Sequence, residues 1–319
     1  MERLAAMSRL QYSSTGTYYR RSMAEMLYDF HAAKCSDDRD RIYALIGLGG
    51  NIMEISYRTS VERTYLDFAI AEICKHPGPI LSCAGAFPAI PFNTTSAEPE
   101  ILLPSWVPDW RSVAQYKPLY LQSDFGEAAA VGATSEHVTI QIQPSKAIIA
   151  SIMPGADLMP AAMTIMSMEN VRTEVHKIAS FYLSESKASS PAVDRNFMDT
   201  ISAGALQLPP KDLHNEMAPE NPLSSKFINT VRQVMSGRRC FFTDEGHFGI
   251  GPNGVRTGDV AIVLASSRQT FVVRPRNVLV AKDTARTLIG DCYIPSFVAA
   301  VMQDLVQEAK QSQTTIKLR

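Results

Sequence analysis

Helical and strand-like patterns occupy different parts of this chain. Apolar residues recur at helical spacing in residues 21–34 and 59–76, whereas residues 260–264 are apolar at every position. A short, wholly apolar run predicts a strand that is covered on both faces. Helices followed by strands along a chain are typical of α+β proteins. We therefore expect an α+β fold: an N-terminal helical module with a proline-rich loop and a β-hairpin, then a small C-terminal antiparallel β-module.

Changes in composition divide the chain into four segments. We expect a mainly helical module in residues 1–184 and a β-rich module in residues 225–310. Residues 185–224 are rich in Ser, Pro and Asn, which predicts a loop or linker between the modules. Residues 311–319 are polar and predict a tail that frays.

Local signals place several elements in the first module. Thr59 and Glu62 are spaced as a capping box at the start of a helix. Residues 77–118 hold many prolines and lack a helical period, which favours an ordered loop. Residues 137–143 and 147–152 favour two strands, and the short polar break between them predicts a hairpin turn.

Patterns in the rest of the chain predict further elements. We expect helices at residues 162–184, 225–236 and 296–310, and strands at residues 240–242, 247–250, 259–264, 270–274 and 288–294.

Charge and cysteine content exclude several classes of protein. The 31 Lys and Arg residues balance 32 Asp and Glu residues, which argues against a nucleic-acid-binding protein. No run reaches the roughly 20 apolar residues of a membrane span, and the N-terminus lacks a signal-peptide core, so we expect a cytoplasmic protein. The five cysteines are scattered and include no C-x-x-C pair, so we expect neither a metal site nor a cofactor.

Several stretches of sequence together resemble the fungal heterokaryon-incompatibility (HET) protein family, in the same order. They are SDDRDRIYALIGL (36–48), YLDFA (65–69), LPSWVPDWR (103–111), RRCFFTDEGHFGIGP (238–252), GDVAIVL (258–264), FVVRPR (271–276) and LIGDCYI (288–294). This resemblance implies a role in fungal non-self recognition and programmed cell death.

The blocks that open the HET domain proper in this family are absent from this sequence. They resemble Y-x-A-L-S-Y-x-W-G and W-I-D-x-x-C-I-x-Q. We therefore interpret the chain as the region downstream of that domain: a regulatory or interaction region, without catalysis, that binds a protein partner or another domain. Two alternatives stay open. One is a small-molecule-binding protein or an enzyme of fungal secondary metabolism, and the other is an inactive truncated fragment.

A run of charges opens the second predicted helix. Asp37 or Asp38 is placed to cap the helix, because carboxylates favour the positive end of a helix dipole. Arg39 and Asp40, beside Tyr43, predict an ion pair within a buried polar network. The same charges could instead hold a ligand or the surface of a partner.

Trp106, Asp109 and Trp110 lie in the proline-rich segment and form the second candidate site. Two indole rings with a carboxylate between them can form a pocket for a small molecule. The alternative, which we favour, is a rigid loop whose rings fill a groove while Asp109 accepts hydrogen bonds from the backbone or an arginine.

Two other patterns have weaker functional interpretations. Residues 249–254 match G-x-G-x-x-G, but a strand pattern follows them rather than the helix that a dinucleotide site requires. His31 and Cys35 have the spacing of two metal ligands on one helix face, although two ligands alone make a poor site. The sequence contains no G-x-S-x-G, H-E-x-x-H or P-loop motif.

Overall fold

The computed structural model describes residues 22–49, 53–89, 103–119, 132–133, 138–154, 166–186, 195–206, 224–265, 269–275, 285–298 and 314–319. The helices are α1 (Met23–Phe30), α2 (Asp40–Gly49), α3 (Val61–Ile73), α4 (Pro77–Ala86), α5 (Met168–Glu185), α6 (Arg195–Ile201) and α7 (Ser224–Met235). The strands are β1 (Gly132–Ala133), β2 (Val138–Ile152), β3 (Arg238–Thr243), β4 (Phe248–Pro252), β5 (Val260–Leu264), β6 (Thr270–Pro275), β7 (Ala285–Cys292) and β8 (Thr314–Leu318). The α+β class expected from the sequence is confirmed.

Side-chain caps fix where the N-terminal helices begin. Ser22 and Glu25 form a capping box at α1, so each side chain accepts from the backbone N–H of the other residue. Ser60 caps α3 by accepting from the N–H of Arg63. The predicted capping box of Thr59 and Glu62 is therefore wrong: the cap is Ser60 alone, and the carboxylate of Glu62 binds Arg111 instead.

Strand β2 is the central element of the sheet. It pairs with β8 through residues 138–142, with β5 through residues 142–148 and with β3 through residues 149–152. The predicted hairpin is wrong, because one 15-residue strand spans both predicted strands. The pairing with β5 is irregular between Ile142 and Lys146, where Pro144 lies. A strand tolerates proline at such an irregularity, since no ladder N–H is required there.

The sheet closes on itself as a barrel. Its order is β4-β3-β2-β5-β6-β7-β8, and β8 also pairs with β2. Strands β2, β5, β6, β7 and β8 therefore form a closed ring. Ribbon β3–β4 extends from this ring and returns to it through a bridge between Ile250 and Tyr293. Strand β2, which was predicted within the first module, thus pairs with strands of the β-rich segment.

The last strand completes the barrel. The predicted frayed tail is wrong, because residues 314–318 form β8, antiparallel to β2 and parallel to β7. Ile316 and Leu318 are buried, whereas Thr315 and Lys317 are exposed. This alternation has the period of a half-buried strand.

Two helices lie where loops were expected. Residues 77–86, in the predicted proline-rich loop, form α4, because a proline in the first turn of a helix loses no intrahelical hydrogen bond. Helix α6 lies within the predicted linker at residues 185–224. Of the helix predicted at 296–310, residues 296–298 are helical and the rest lies outside the described residues.

In the part of the chain that the structure describes, the buried apolar side chains form three clusters. The first joins helices α1–α4 to one face of the barrel strands, the second joins α5–α7 to ribbon β3–β4, and the third fills the opposite face of β5. Alternate residues of β5 enter the first and third clusters, which confirms that both faces of this strand are covered. Among the helices in the described part of the chain, none combines the length and apolar character that crossing a membrane requires.

Candidate functional site

A cavity of about 680 Å³ lies beside α1 and α2. It is lined by Leu27, Phe30, His31, Ala33, Lys34, Cys35, Ser36, Asp40, Arg41, Tyr43, Ala44, Leu45, Ile55, Tyr57 and Trp110. Small-molecule sites typically enclose about 300–1,000 Å³, so this volume is large enough for a drug-sized ligand. Of the seven candidate site residues, Asp40, Tyr43 and Trp110 line it, and so do His31 and Cys35, the pair with metal-ligand spacing.

The cavity runs from the surface into the core. Ile55 and Tyr57 at its rim are 52% and 55% exposed, whereas Leu27 and Trp110 are 3% and 1% exposed. A ligand would therefore meet apolar side chains at one end and solvent at the other.

Asp37 and Arg39 hold the rim in place without lining the cavity. Arg39 donates through Nη1 to the carbonyls of Tyr57 (2.6 Å) and Thr59 (2.7 Å), which fixes the segment 53–60 against α2. The guanidinium also binds Asp37, with Nη2 2.6 Å from Oδ2. The hydrogen bonds from Arg39 lower the pKa of Asp37 to about 2.

The predicted ion pair between Arg39 and Asp40 is wrong. Asp37 accepts from both the backbone N–H and the side chain of Arg39, a local turn geometry that aspartate favours. Asp40 accepts instead from the hydroxyl of Tyr57 (2.6 Å), which raises the pKa of that tyrosine. The network is also partly exposed rather than buried, with side-chain exposure of 20% for Arg39 and 29% for Asp37.

Two tyrosines line the cavity together with Asp40. The rings of Tyr43 and Tyr57 pack edge to face with centroids 5.4 Å apart. The hydroxyl of Tyr43 donates to the carbonyl of Ser56 at 2.9 Å. These contacts fix the orientation of both rings at the cavity wall.

Lys34, Arg41 and the ring of His31 also line the cavity. Arg41 donates to the carbonyl of His31 (3.1 Å) and to Asp38 (3.1 Å), so its charge is partly neutralised. The ring of His31 uses Nδ1 to bind the carbonyl of Tyr28. Lys34 is exposed, and its ammonium group has no ion-pair partner among the described residues.

The Trp106–Trp110 segment is packed into the core, as the favoured interpretation predicts. Asp109 is fully buried and accepts from Arg111 through Nε (2.8 Å) and Nη2 (3.0 Å). Arg111 also binds Glu62 of α3 at 2.5 Å. Two carboxylates from different elements therefore share one guanidinium and fix the segment to α3.

The two tryptophans differ in their access to the cavity. The ring of Trp110 lines it, and packs against Phe87 (5.0 Å) and Phe68 (6.3 Å). Trp106 is fully buried and does not line it. Neither indole N–H has an acceptor among the described residues. Of the seven candidate residues, the structure thus brings Asp40, Tyr43 and Trp110 to one cavity, whereas Asp37, Arg39, Trp106 and Asp109 do not line it.

The sequence analysis did not predict a buried cluster of contacts around Arg238. Arg238 of β3 is fully buried, with Nη2 2.6 Å from Oδ1 of Asp291 in β7 and 3.0 Å from the carbonyl of Lys117. Its guanidinium lies 4.2 Å from the ring centroid of Tyr116. Asp291 also accepts from the N–H of Leu119 at 2.7 Å. The cluster fixes the loop that follows Trp110 to the barrel.

One sequence signal for this cluster is that Arg238 and Asp291 both lie in blocks that resemble the HET protein family, at residues 238–252 and 288–294. RRC contains Arg238 and GDC contains Asp291. Asp259 and Arg274, from GDV and VVRPR, form a second such pair with Nε 2.7 Å from Oδ1. Sequence reasoning assigned these blocks to strands and did not consider their charges as partners.

The two weaker patterns have different outcomes: His31 and Cys35 both line the cavity, whereas the glycine-rich run does not. The glycine-rich run lies on β4 and the turn after it, and β5 rather than a helix follows. Gly249 accommodates Phe241 and Ile294, since a Cβ there would lie 2.7 and 2.8 Å from them. Among the described residues, His, Cys, Asp and Glu side chains do not form groups of three or more that could hold a metal ion.

Comparison with known proteins finds a family match for the segment between β2 and β8. Residues 160–311, just under half of the chain, match the family model of the Het-6 beta-barrel domain, a family associated with fungal heterokaryon-incompatibility proteins. The matched segment contains the last four of the seven sequence blocks, and it confirms the resemblance to this family. It begins after β2 and ends before β8, and the cavity-lining residues lie outside it. The chain matches neither a curated protein nor a solved structure.

Proposed function

We propose that this heterokaryon-incompatibility-type protein region, with its Het-6-type barrel, is a regulatory or interaction region that binds a HET domain or another protein partner. The match of residues 160–311 to the Het-6 beta-barrel family carries this proposal. The family association favours a role in non-self recognition and control of cell death. We also propose a cytoplasmic location, which microscopy of the fluorescently tagged chain in fungal hyphae tests.

The contacts between the helices and the barrel suit such a role. Helix α4 approaches β7 so closely that a Cβ on Gly85 would lie 2.3 Å from the Cα of Gly290. Arg238 and Asp291 join the barrel to the loop after Trp110. A partner bound to the helices would therefore act on the barrel through rigid contacts rather than through a flexible linker.

Binding to a HET domain tests the proposal directly. The purified chain is mixed with a purified HET domain of a fungal family member and analysed by size-exclusion chromatography and calorimetry. We expect a complex, and we expect co-expression of the two in fungal colonies to change the fraction of dying cells. The absence of a complex together with unchanged cell death would contradict the proposal.

The cavity favours a second candidate function, a small-molecule-binding protein or an enzyme of secondary metabolism. Trp110 lines the cavity and Trp106 does not, and the chain contains no other tryptophan. A metabolite that enters the cavity should change the emission of wild-type protein and of Trp106→Phe, but not of Trp110→Phe. A metabolite panel that leaves all emission spectra unchanged, or changes them equally in both variants, would contradict this candidate.

A further inference from the structure

We propose that the cavity binds a flat, apolar small molecule that carries one anionic group, such as an aromatic carboxylate or sulfonate. This proposal rests on the second candidate function and specifies its ligand class. The apolar body would lie toward Trp110, and the anionic group would lie at the rim beside Lys34.

Apolar side chains define the inner end of the cavity. Leu27, Leu45 and Trp110 are each less than 10% exposed and line it together. Burying an apolar body against such side chains contributes about 25 cal/mol for each Å² removed from water. A planar ligand suits this end, because the wall includes the flat faces or edges of Tyr43 and Trp110.

The charged groups at the wall favour an anion. Lys34 and Arg41 both line the cavity, whereas Asp40 is the only carboxylate among the described lining residues. Asp40 already accepts a hydrogen bond from Tyr57, and Arg41 is paired with Asp38. Lys34 is the lining cation without an ion pair among the described residues, so it is the group that would meet the anion.

The positions of Lys34 and Trp110 set the orientation of the ligand in the cavity. An anionic group is costly to bury without a partner, so it belongs at the solvent-exposed rim. Lys34 is exposed, and Trp110 lies at the buried end. An amphipathic anion matches Lys34 at the rim and the apolar side chains at the inner end, whereas a polar sugar would leave the inner end unmatched.

A pair of fluorescent probes isolates the effect of the anionic group. 8-Anilinonaphthalene-1-sulfonate and N-phenyl-1-naphthylamine share the same aromatic body, and only the first carries a sulfonate. We expect the sulfonate probe to bind wild-type protein about fivefold more tightly, as suits one partly exposed ion pair. Lys34→Met should abolish this difference and leave the affinity of the uncharged probe unchanged, whereas Lys177→Met, at an exposed pair on α5, should change neither.

A blocking variant shows whether the probes occupy this cavity. Ala44 lines the cavity and is exposed, so Ala44→Trp should obstruct the mouth without disturbing the core. It should weaken both probes at least tenfold, whereas Ala150→Trp, at an exposed site on β2, should weaken neither. Circular dichroism and the thermal midpoint establish that each variant is folded.

The outcomes distinguish the ligand class from the binding function. If both probes bind equally and Ala44→Trp weakens both, the cavity is a small-molecule site but the anionic class is wrong. If Ala44→Trp weakens neither probe, the cavity is not their binding site, and the second candidate function fails together with the ligand class.

Discussion

Arg238 and Asp291 lie 53 residues apart in sequence, yet they form the most buried ion pair among those described. Buried charges are costly to remove from water, so removing one partner of such a pair leaves an uncompensated charge in the interior. Arg238 binds the carboxylate and carbonyl of Asp291, and Asp291 also accepts from Leu119. The pair therefore connects β3, β7 and the loop that follows Trp110.

Removing one charge of this pair should destabilise the protein strongly. Asp291→Asn leaves the guanidinium of Arg238 buried without a counter-charge, and we expect the free energy of unfolding to fall by about 3–5 kcal/mol. Asp67→Asn is the matched control, because its partner Arg63 is 47% exposed and such pairs contribute about 1 kcal/mol or less. Urea unfolding measures both values. Similar losses in the two variants would show that Arg238 is not held by this carboxylate.

The Asp37–Arg39 pair at the cavity rim should respond to pH. Hydrogen bonds from Arg39 lower the pKa of Asp37 to about 2 from its ordinary value of 3.8. A lowered carboxyl pKa contributes stability that is fully present above the ordinary value and is lost as pH falls through the lowered value. Carboxyl-carbon NMR should therefore show a midpoint near 2, and Arg39→Gln should raise it toward 3.8. A midpoint that Arg39→Gln leaves unchanged, as we expect of the control Arg63→Gln, would contradict the assignment.

At the scale of helices and strands, the sequence predicts elements well where one local pattern decides them. Ile42, Leu45 and Ile46 share the buried face of α2 because they recur at helical spacing. The wholly apolar β5 is covered on both faces for the same kind of reason. Local patterns fail to predict an element whose extent depends on strands distant in sequence. The predicted hairpin is an example, because pairing with β5 and β3 continues β2 past Pro144.

At the candidate site, too, the sequence predicts individual residues but not which distant segments meet. The sequence singled out Asp40, Tyr43 and Trp110, but it could not show that α2 and the Trp106–Trp110 segment meet at one cavity. The choice of Asp40 as partner for Arg39 failed because Asp37 and Asp40 are both near Arg39 in sequence. Only the backbone turn at Asp37 places its carboxylate on the guanidinium.

Strand β8 gives an element-scale test of the barrel. Leu318 is fully buried between β2 and β7, whereas its neighbour Lys317 is exposed. Leu318→Ala should therefore lower the free energy of unfolding by about 2–5 kcal/mol, as large-to-small changes in a core do. Lys317→Ala should change it by about 0.5 kcal/mol or less. Equal, small effects in chemical unfolding would mean that residues 314–318 fray, as the polar sequence alone had suggested.

At the scale of the whole molecule, the helices and the barrel share one core. The first apolar cluster contains side chains from α1–α4 and from strands β2, β5, β6, β7 and β8. The strands that close the barrel, β2 and β8, lie outside the segment that matches the Het-6 beta-barrel family. The helices and the matched segment are therefore joined both through the core and through the sheet.

Two glycine substitutions test whether this shared core makes the molecule one cooperative unit. A Cβ on Gly85 of α4 would lie 2.3 Å from both the Cα of Gly290 and the hydroxyl oxygen of Tyr116, whereas a Cβ on Gly47 of α2 would meet nothing within 4 Å. Gly47→Ala should stabilise the protein by up to about 1 kcal/mol through helix propensity. Gly85→Ala should destabilise it by about 1–3 kcal/mol, because overpacking must separate α4 from β7.

Far-ultraviolet circular dichroism and tryptophan fluorescence should follow one shared, shifted transition in each variant. Hydrogen exchange of the barrel amides is the second measurement. If Gly85→Ala shifts the fluorescence transition but leaves the exchange rates of the barrel amides unchanged, the helices and the barrel unfold separately. A partner bound to the helices could then not act on the barrel through rigid contacts.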